Sequence, residues 1–140
     1  MLKLSTYLNF KGQAEEAFNF YQSVLGGELY LQRMNETPFG ENLPADEKNC
    51  AMHVSLTLAN GVILMASDIL ESAGHQLKVG NNYYVSIHTD SRVEVDRIFN
   101  SLSADGVIEM PMEDMFWGDY FGVFADRYGI QWMISHHTEK

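Results

Sequence analysis

Gly61-Val62-Ile63-Leu64-Met65-Ala66-Ser67 and Gly129-Ile130-Gln131-Trp132-Met133-Ile134-Ser135 share Gly, Met and Ser at one offset of 68 positions, 129 less 61. Each heptapeptide follows a turn and reads as a strand. Each also comes just after another strand-like run, Ala51 to Ala59 in one case and Asp119 to Ala125 in the other. Asn60-Gly61 marks a two-residue hairpin, because both residues tolerate positive φ. The repeat therefore predicts one hairpin made twice.

Upstream of each hairpin lies a helical pattern. Ala14, Ala17, Phe18, Tyr21, Val24 and Leu25 fall on one helical face ahead of Gly26-Gly27. Ser91-Arg92-Val93-Glu94 has capping-box spacing, and Val95, Ile98, Phe99 and Leu102 continue an apolar stripe towards Gly106. Strands are expected before each helix, at Lys3 to Phe10 and Tyr83 to Thr89, and after each, near Glu28 to Arg33 and Val107 to Met110. Each half reads β-α-β-β-β. The expected fold is α+β: two tandem βαβββ modules, at about 1–70 and about 82–137, in one domain spanning 1–140. A lone unit would leave one face of its sheet uncovered, so the modules are expected to form a curved mixed sheet, a half-barrel, around a cleft. Residues 69–82 read as the linker, and Met34 to Asn49, with Pro38, Gly40 and Pro44, as a lid.

Composition narrows the function classes. The chain has 140 residues, of which 46% are hydrophobic and 12% aromatic, and a formal net charge of -10. That charge repels phosphate backbones and anionic lipid, so no nucleic-acid or membrane partner is expected. No apolar run approaches the roughly 18 residues that cross a bilayer, and the first residues alternate where a signal peptide would have an apolar block. A cytoplasmic location is expected. Cys50, without a partner cysteine or metal-ligand spacing, reads as a packing residue.

The pieces YLNFKGQAEEAFNFYQSVLGGEL, GVILMASD and WGDYFGVFADRYGIQWMI, in this order, resemble the vicinal-oxygen-chelate superfamily of glyoxalases, bleomycin-resistance-type proteins and extradiol dioxygenases. Within it they are most similar to the PhnB-like branch. The resemblance implies the two-module fold, a small-molecule ligand in the inter-module cleft and a homodimer. Some relatives of the branch carry names suggesting ubiquinone methylation, but this chain lacks the Gly-rich strand-to-helix signature and the length of a methyltransferase. Metal-dependent members hold a divalent cation with His and Glu from the first and last strand of each unit. The resemblance places those positions at Thr6, Met65, Tyr84 and Met133, with one-residue slips to Ser5, Tyr83, Val85, Trp132 or Ile134. None is a usual ligand for Mg, Mn, Ni or Zn, so no metal or other cofactor is expected.

Strand alternation gives the facing of the remaining residues. Val62, Leu64 and Ala66 form one set and Ile63, Met65 and Ser67 the other. His53, Ser55 and Thr57 oppose Met52, Val54, Leu56 and Leu58, while Tyr84, Ser86 and His88 oppose Val85 and Ile87. The expected ligand-binding residues are Thr6, His53, Met65, Ser67, Tyr84, Ser86, His88, Trp117 and Met133, a set suited to an uncharged or partly aromatic ligand. Whether the chain is an enzyme stays open. As a lyase- or isomerase-type catalyst it would use His53 or His88 as general base; as a structural or regulatory dimer its cleft would be filled. Met110 to Tyr120 reads as an apolar loop that caps the cleft or meets a partner subunit. In that segment Asp119 either orients a ligand or fixes a turn, and Glu109, Glu113 and Asp114 read as solvated. Asp126 reads as the start of a turn, and His136 and His137 as surface histidines.

Overall fold

The repeat takes the form of two four-stranded mixed sheets, each with its own helix, in a computed structural model that describes residues 1–137. The chain divides into two compact units, Met1–Lys78 and Val79–Lys140. The first contains β1 (Thr6–Phe10), α1 (Ala14–Leu25), β2 (Glu28–Arg33), β3 (Ala51–Thr57) and β4 (Ile63–Asp68). The second contains β5 (Val85–His88), α2 (Arg92–Leu102), β6 (Val107–Asp114), β7 (Asp119–Ala125) and β8 (Gln131–His137). The sheet orders are β1-β4-β3-β2 and β5-β8-β7-β6, with β1·β4 and β5·β8 parallel and the other pairs antiparallel. These are the two tandem βαβββ modules read from the sequence.

The apolar helix faces account for the cores. Ala14, Ala17, Phe18, Tyr21 and Val24 of α1 are buried, as are Leu8, Phe10, Val54, Leu56, Leu64 and Ala66 of the first sheet. In the second unit Val95, Ile98, Phe99 and Leu102 are buried, together with Phe124, Trp132 and Ile134. Phe99 meets Phe124 edge to face at 5.1 Å. Ser91 caps α2 through its side-chain oxygen, which accepts from the Glu94 N–H at 3.2 Å. The return half of the capping box is absent, because the Ser91 N–H donates to Thr89 Oγ1 and the Glu94 carboxylate pairs with Arg97.

Both hairpins use a three-residue loop, which corrects the two-residue turn expected at Asn60-Gly61. The Gly61 N–H donates to Leu58 O and the Leu58 N–H to Val62 O, while the Gly129 N–H donates to Asp126 O and the Asp126 N–H to Ile130 O. Only the last loop residue needs positive φ, +83° at Gly61 and +86° at Gly129, the geometry of a turn followed by a left-handed glycine.

A second duplicated device sits where each helix hands over to the next strand. A Cβ on Gly27 would lie 2.5 Å from the Thr57 carbonyl oxygen, and one on Gly106 would clash with the Ala125 carbonyl oxygen. The obstacle in each case is backbone, so a side chain fits only if the strands part. Gly106→Ala is therefore expected to cost about 2 kcal/mol through overpacking. A lower urea midpoint with far-UV circular dichroism retained would bear this out.

One expectation is corrected in the connecting segments. Met110 to Asp114 is strand, so the apolar loop shrinks to a turn at 115–118. The strand accommodates Pro111 because β6 is an edge strand, where a missing N–H disrupts no ladder. The end of β6 is held by Arg92, which donates to both Asp114 oxygens at 2.8 Å and lies 3.8 Å above the Tyr120 ring. Met34 to Asn49 forms two short 3-10 turns, pinned by the Met34 N–H to Cys50 O and the Asn35 N–H to Lys48 O, both at 2.9 Å. Cys50 is half-buried, and burial pushes its thiol pKa up.

Candidate functional site

Because the helices cover one face of each sheet, alternation assigns every other residue to the helix-free face. In the first unit the registers line up Tyr7, Met65, Ser55 and Tyr30 as one row across that face. Two positions along each strand lie Asn9, Ser67, His53 and Gln32. The Tyr7 hydroxyl is 3.4 Å from His53 Nδ1, and the rings of Tyr7 and Tyr30 flank that imidazole with centroids at 6.0 and 6.4 Å. Aromatic rings from both edge strands thus flank one imidazole and share the face with a central thioether and two serines.

The pairing also corrects Thr6. It pairs with Leu64, in phase with buried Leu8 and Phe10, so Thr6 belongs to the helix side and Tyr7 shares the face with Met65. A marker was available in the alternation, since Leu8 and Phe10 share the phase of Thr6, and so do Leu2 and Leu4, although these two are 94% and 97% exposed.

In the second unit the equivalent row is Ser86, Met133, Val123 and Met110. The next row is His88, Ser135, Phe121 and Glu113, so each module carries one imidazole in the same row, on different strands. His88 Nδ1 lies 3.2 Å from Ser135 Oγ. Tyr84, just ahead of β5 and in phase with Ser86 and His88, donates to Glu109 Oε2 at 2.7 Å. That carboxylate, by accepting the phenol's hydrogen, pushes the Tyr84 pKa up. The bond joins the two outer strands of the sheet.

A third level holds Asp119 opposite His137. Asp119 Oδ1 accepts from His137 Nδ1 at 2.8 Å, and Oδ2 accepts from Trp117 Nε1 at 2.9 Å. The hydrogen bond from His137 is the main reason the Asp119 carboxyl titrates below its usual range; burial opposes it, and Trp117 and the charge of His88 add to the lowering. Trp117, in the 115–118 turn, meets Phe116 and Phe121 edge to face at 5.0 and 6.0 Å. His137 is exposed, as expected of a surface histidine, and is tied through Asp119 to Trp117. One sequence signal was available: with the loop fixed at Arg127 to Gly129, counting outwards pairs Ala125 with Gln131 and Asp119 with His137. His136 turns the other way, with Nδ1 2.9 Å from the Thr89 carbonyl oxygen.

The superfamily's divalent cation does not suit the donors at its expected positions. Beside Met65 and Met133 the neighbouring strands offer a phenol at Tyr7 and a hydroxyl at Ser86, and thioethers are poor ligands for hard or borderline cations. Among the described residues no group of three or more His, Cys, Asp or Glu converges as a ligand set. No helix among them is long and apolar enough to cross a membrane. The Met34 to Asn49 segment borders an open depression of about 440 Å³, lined by Asn35, Glu36, Thr37, Pro38, Gly40, Glu41 and Lys48. None of the expected site residues lines it.

Comparison with known proteins agrees with this architecture. Residues 2–135 match the family model described as 3-demethylubiquinone-9 3-methyltransferase. The chain is 32% identical to protein YjdN of Escherichia coli strain K12, over 96% of this chain and 95% of that protein. The crystal structure of protein PA1353 from Pseudomonas aeruginosa superposes with a TM-score of 0.87 at 34% identity, covering 99% of this chain and 100% of that one. A Bacillus cereus structure titled as a putative 3-demethylubiquinone-9 3-methyltransferase, PhnB protein, gives a TM-score of 0.77 at 29% identity, covering 96% and 99%. With matching βαβββ modules and a family model spanning nearly its whole length, the chain belongs to the PhnB-like family of the vicinal-oxygen-chelate superfamily.

Proposed function

We propose that the chain binds a small, largely uncharged organic ligand on the helix-free faces of its sheets, without the divalent cation of metal-using relatives. The observation that carries this reading is the row Tyr7, Met65, Ser55 and Tyr30 with His53 beside it: aromatic and thioether surface interleaved with hydroxyls and one imidazole. Such a surface gives a ligand apolar contact and a few orienting hydrogen bonds but no fixed charge to oppose. The methyl transfer in the family's description is not part of this reading. The strand-to-helix turns here are Lys11-Gly12-Gln13 and Thr89-Asp90-Ser91, neither of them the Gly-rich turn that cradles a nucleotide-like methyl donor.

Thermal-shift screening against divalent metals and a library of aromatic metabolites and drugs tests the proposal. Stabilisation by members of the organic library, and none by metals, is expected. Reproducible stabilisation by a metal that disappears in His53→Ala or His88→Ala would overturn the metal-free reading.

One observation favours a second reading, a lyase- or isomerase-type enzyme. The hydrogen bonds of His53 and His88 run to side chains, Tyr7 and Ser135, so each ring faces groups that orient an imidazole for proton transfer. Solvent-deuterium exchange into a bound ligand, lost in His88→Gln, would distinguish catalysis from sequestration.

A further inference from the structure

Three side chains at one end of the second sheet form a hydrogen-bonded unit, of which only Trp117 is among the expected ligand-binding residues. The Asp119 carboxylate is shared between an imidazole and an indole, His137 Nδ1 at 2.8 Å and Trp117 Nε1 at 2.9 Å. A carboxylate can only accept, so His137 must carry its proton on Nδ1, and the neutral ring then presents Nε2 as an acceptor. Among the described residues no hydrogen bond engages that nitrogen. The residue is 56% exposed at its side chain, so a ligand can reach it.

The surroundings narrow the ligand. Phe121 lies on β7 two residues beyond Asp119, on the same face, and Trp117 packs against it at 6.0 Å and 67°. Two aromatic surfaces therefore lie beside the carboxylate that holds the imidazole. From the neighbouring elements the ionisable groups facing this level are His88 of β5, held by Ser135, and Glu113 of β6, paired in register with Phe121. Among the described residues at this level, the only group placed to take a proton and have the resulting cation compensated by a bonded carboxylate is His137.

We propose that the helix-free face of the second module carries a proton-accepting site for a phenol or enol, in which His137 Nε2 takes the O–H proton, Asp119 positions the imidazole and Trp117 with Phe121 forms the apolar wall. The proposal rests on the small-organic-ligand reading and names the ligand class. The step balances without any other reactant: the ligand's O–H bond breaks, an Nε2–H bond forms, and the oxyanion stays hydrogen-bonded to the imidazolium. That cation lies between two anions, the oxyanion on one side and the Asp119 carboxylate on the other. Asp119 is a positioning residue, since it acts on the ligand only through His137.

The test uses the full chain with 4-nitrophenol, whose ionisation is visible in its absorbance, and 4-nitroanisole, which has the same ring but no proton to give. Wild type is expected to bind 4-nitrophenol as the phenolate at a pH where the free phenol is mostly neutral. His137→Gln should abolish the phenolate band and leave 4-nitroanisole binding unchanged, while Asp119→Asn should reduce the ionised fraction about tenfold. His136→Gln, whose ring turns the other way to the Thr89 carbonyl oxygen, should leave the band in place. A phenol bound in neutral form by wild type, a band that survives His137→Gln, or one lost in His136→Gln instead, would overturn the site. If 4-nitrophenol fails to bind while other library members stabilise the protein, this site alone falls. If no organic compound stabilises it, the reading beneath falls too.

Discussion

Asp126→Ala is expected to lower stability by about 4 kcal/mol, or Tm by about 12 °C, because three donors lose one buried acceptor. Asp126 is only 4% exposed. Its Oδ1 accepts the Tyr128 and Ile130 N–H groups at 2.8 and 3.0 Å, and its Oδ2 accepts Trp132 Nε1 at 2.8 Å. Trp132 is among the largest fully buried side chains of the chain, so no water can take over that bond without opening the core. The carboxylate thus holds the β7–β8 loop and the central Trp of the second core with one group. Asp126→Asn should be milder but still destabilising, because an amide can serve the loop N–H groups while its NH₂ would face a second donor at Trp132. Urea unfolding checks both. A double-mutant cycle with Trp132→Phe isolates the indole bond, and the loss from Asp126→Ala should shrink by about 1–2 kcal/mol in that background. An unchanged loss would show that the indole bond contributes nothing.

This carboxylate also shows where sequence reading reaches its limit. The turn after Asp126 is legible from Gly129 and the repeat. The bond to Trp132, six residues on, depends on which face of β8 the indole takes, and the alternation of Ile130, Trp132 and Ile134 gives that correctly. The helices are legible because their apolar period continues for about three turns, ending at Gly26 in α1 and at Ser103, shortly before Gly106, in α2. What fails is a site position laid over the strand against its own alternation. Buried Leu8 and Phe10 share the phase of Thr6, so the alternation already puts Thr6 on the apolar side and Tyr7 on the opposite face, and the pairing of Tyr7 with Met65 agrees. The strand at Met110 to Asp114 is hidden for a different reason. It is an edge strand with irregular register and mostly exposed residues, carries a proline, and is fastened by a salt bridge from Arg92, 22 residues away. The Asp119–His137 pair is hidden because both lie at strand ends, where composition looks like surface. Such contacts follow only from counting outwards along a hairpin whose loop length is already known.

Asp68→Ala is expected to cost about 3 kcal/mol, since it leaves two backbone N–H groups in the first core without an acceptor. Asp68 ends β4 and is 5% exposed. Its Oδ1 accepts the Ala14 N–H at 3.0 Å and its Oδ2 accepts the Ala51 N–H at 2.8 Å, so one side chain caps α1 and fixes the start of β3. The two modules differ in kind here. In the second, Ser91 caps α2 from the adjacent residue, a local arrangement worth about 1 kcal/mol. In the first, Gln13 makes no side-chain cap and the acceptor comes from a strand 54 residues away. That acceptor is also a negative charge at the positive end of the helix dipole, which adds to the stabilisation. The cap therefore forms only when α1, β3 and β4 are assembled, so its loss should loosen all three together. Asp68→Asn keeps one acceptor oxygen and should lose roughly half as much, because one of the two N–H groups would face the NH₂. Amide hydrogen exchange separates this from general destabilisation. Protection at Ala14 and Ala51 should fall in Asp68→Ala beyond the drop in global stability, whereas in Asp126→Ala any change at those amides should follow the global drop alone. Equal, uniform changes in both variants would mean that Asp68 acts through bulk charge and not as the link between helix and sheet.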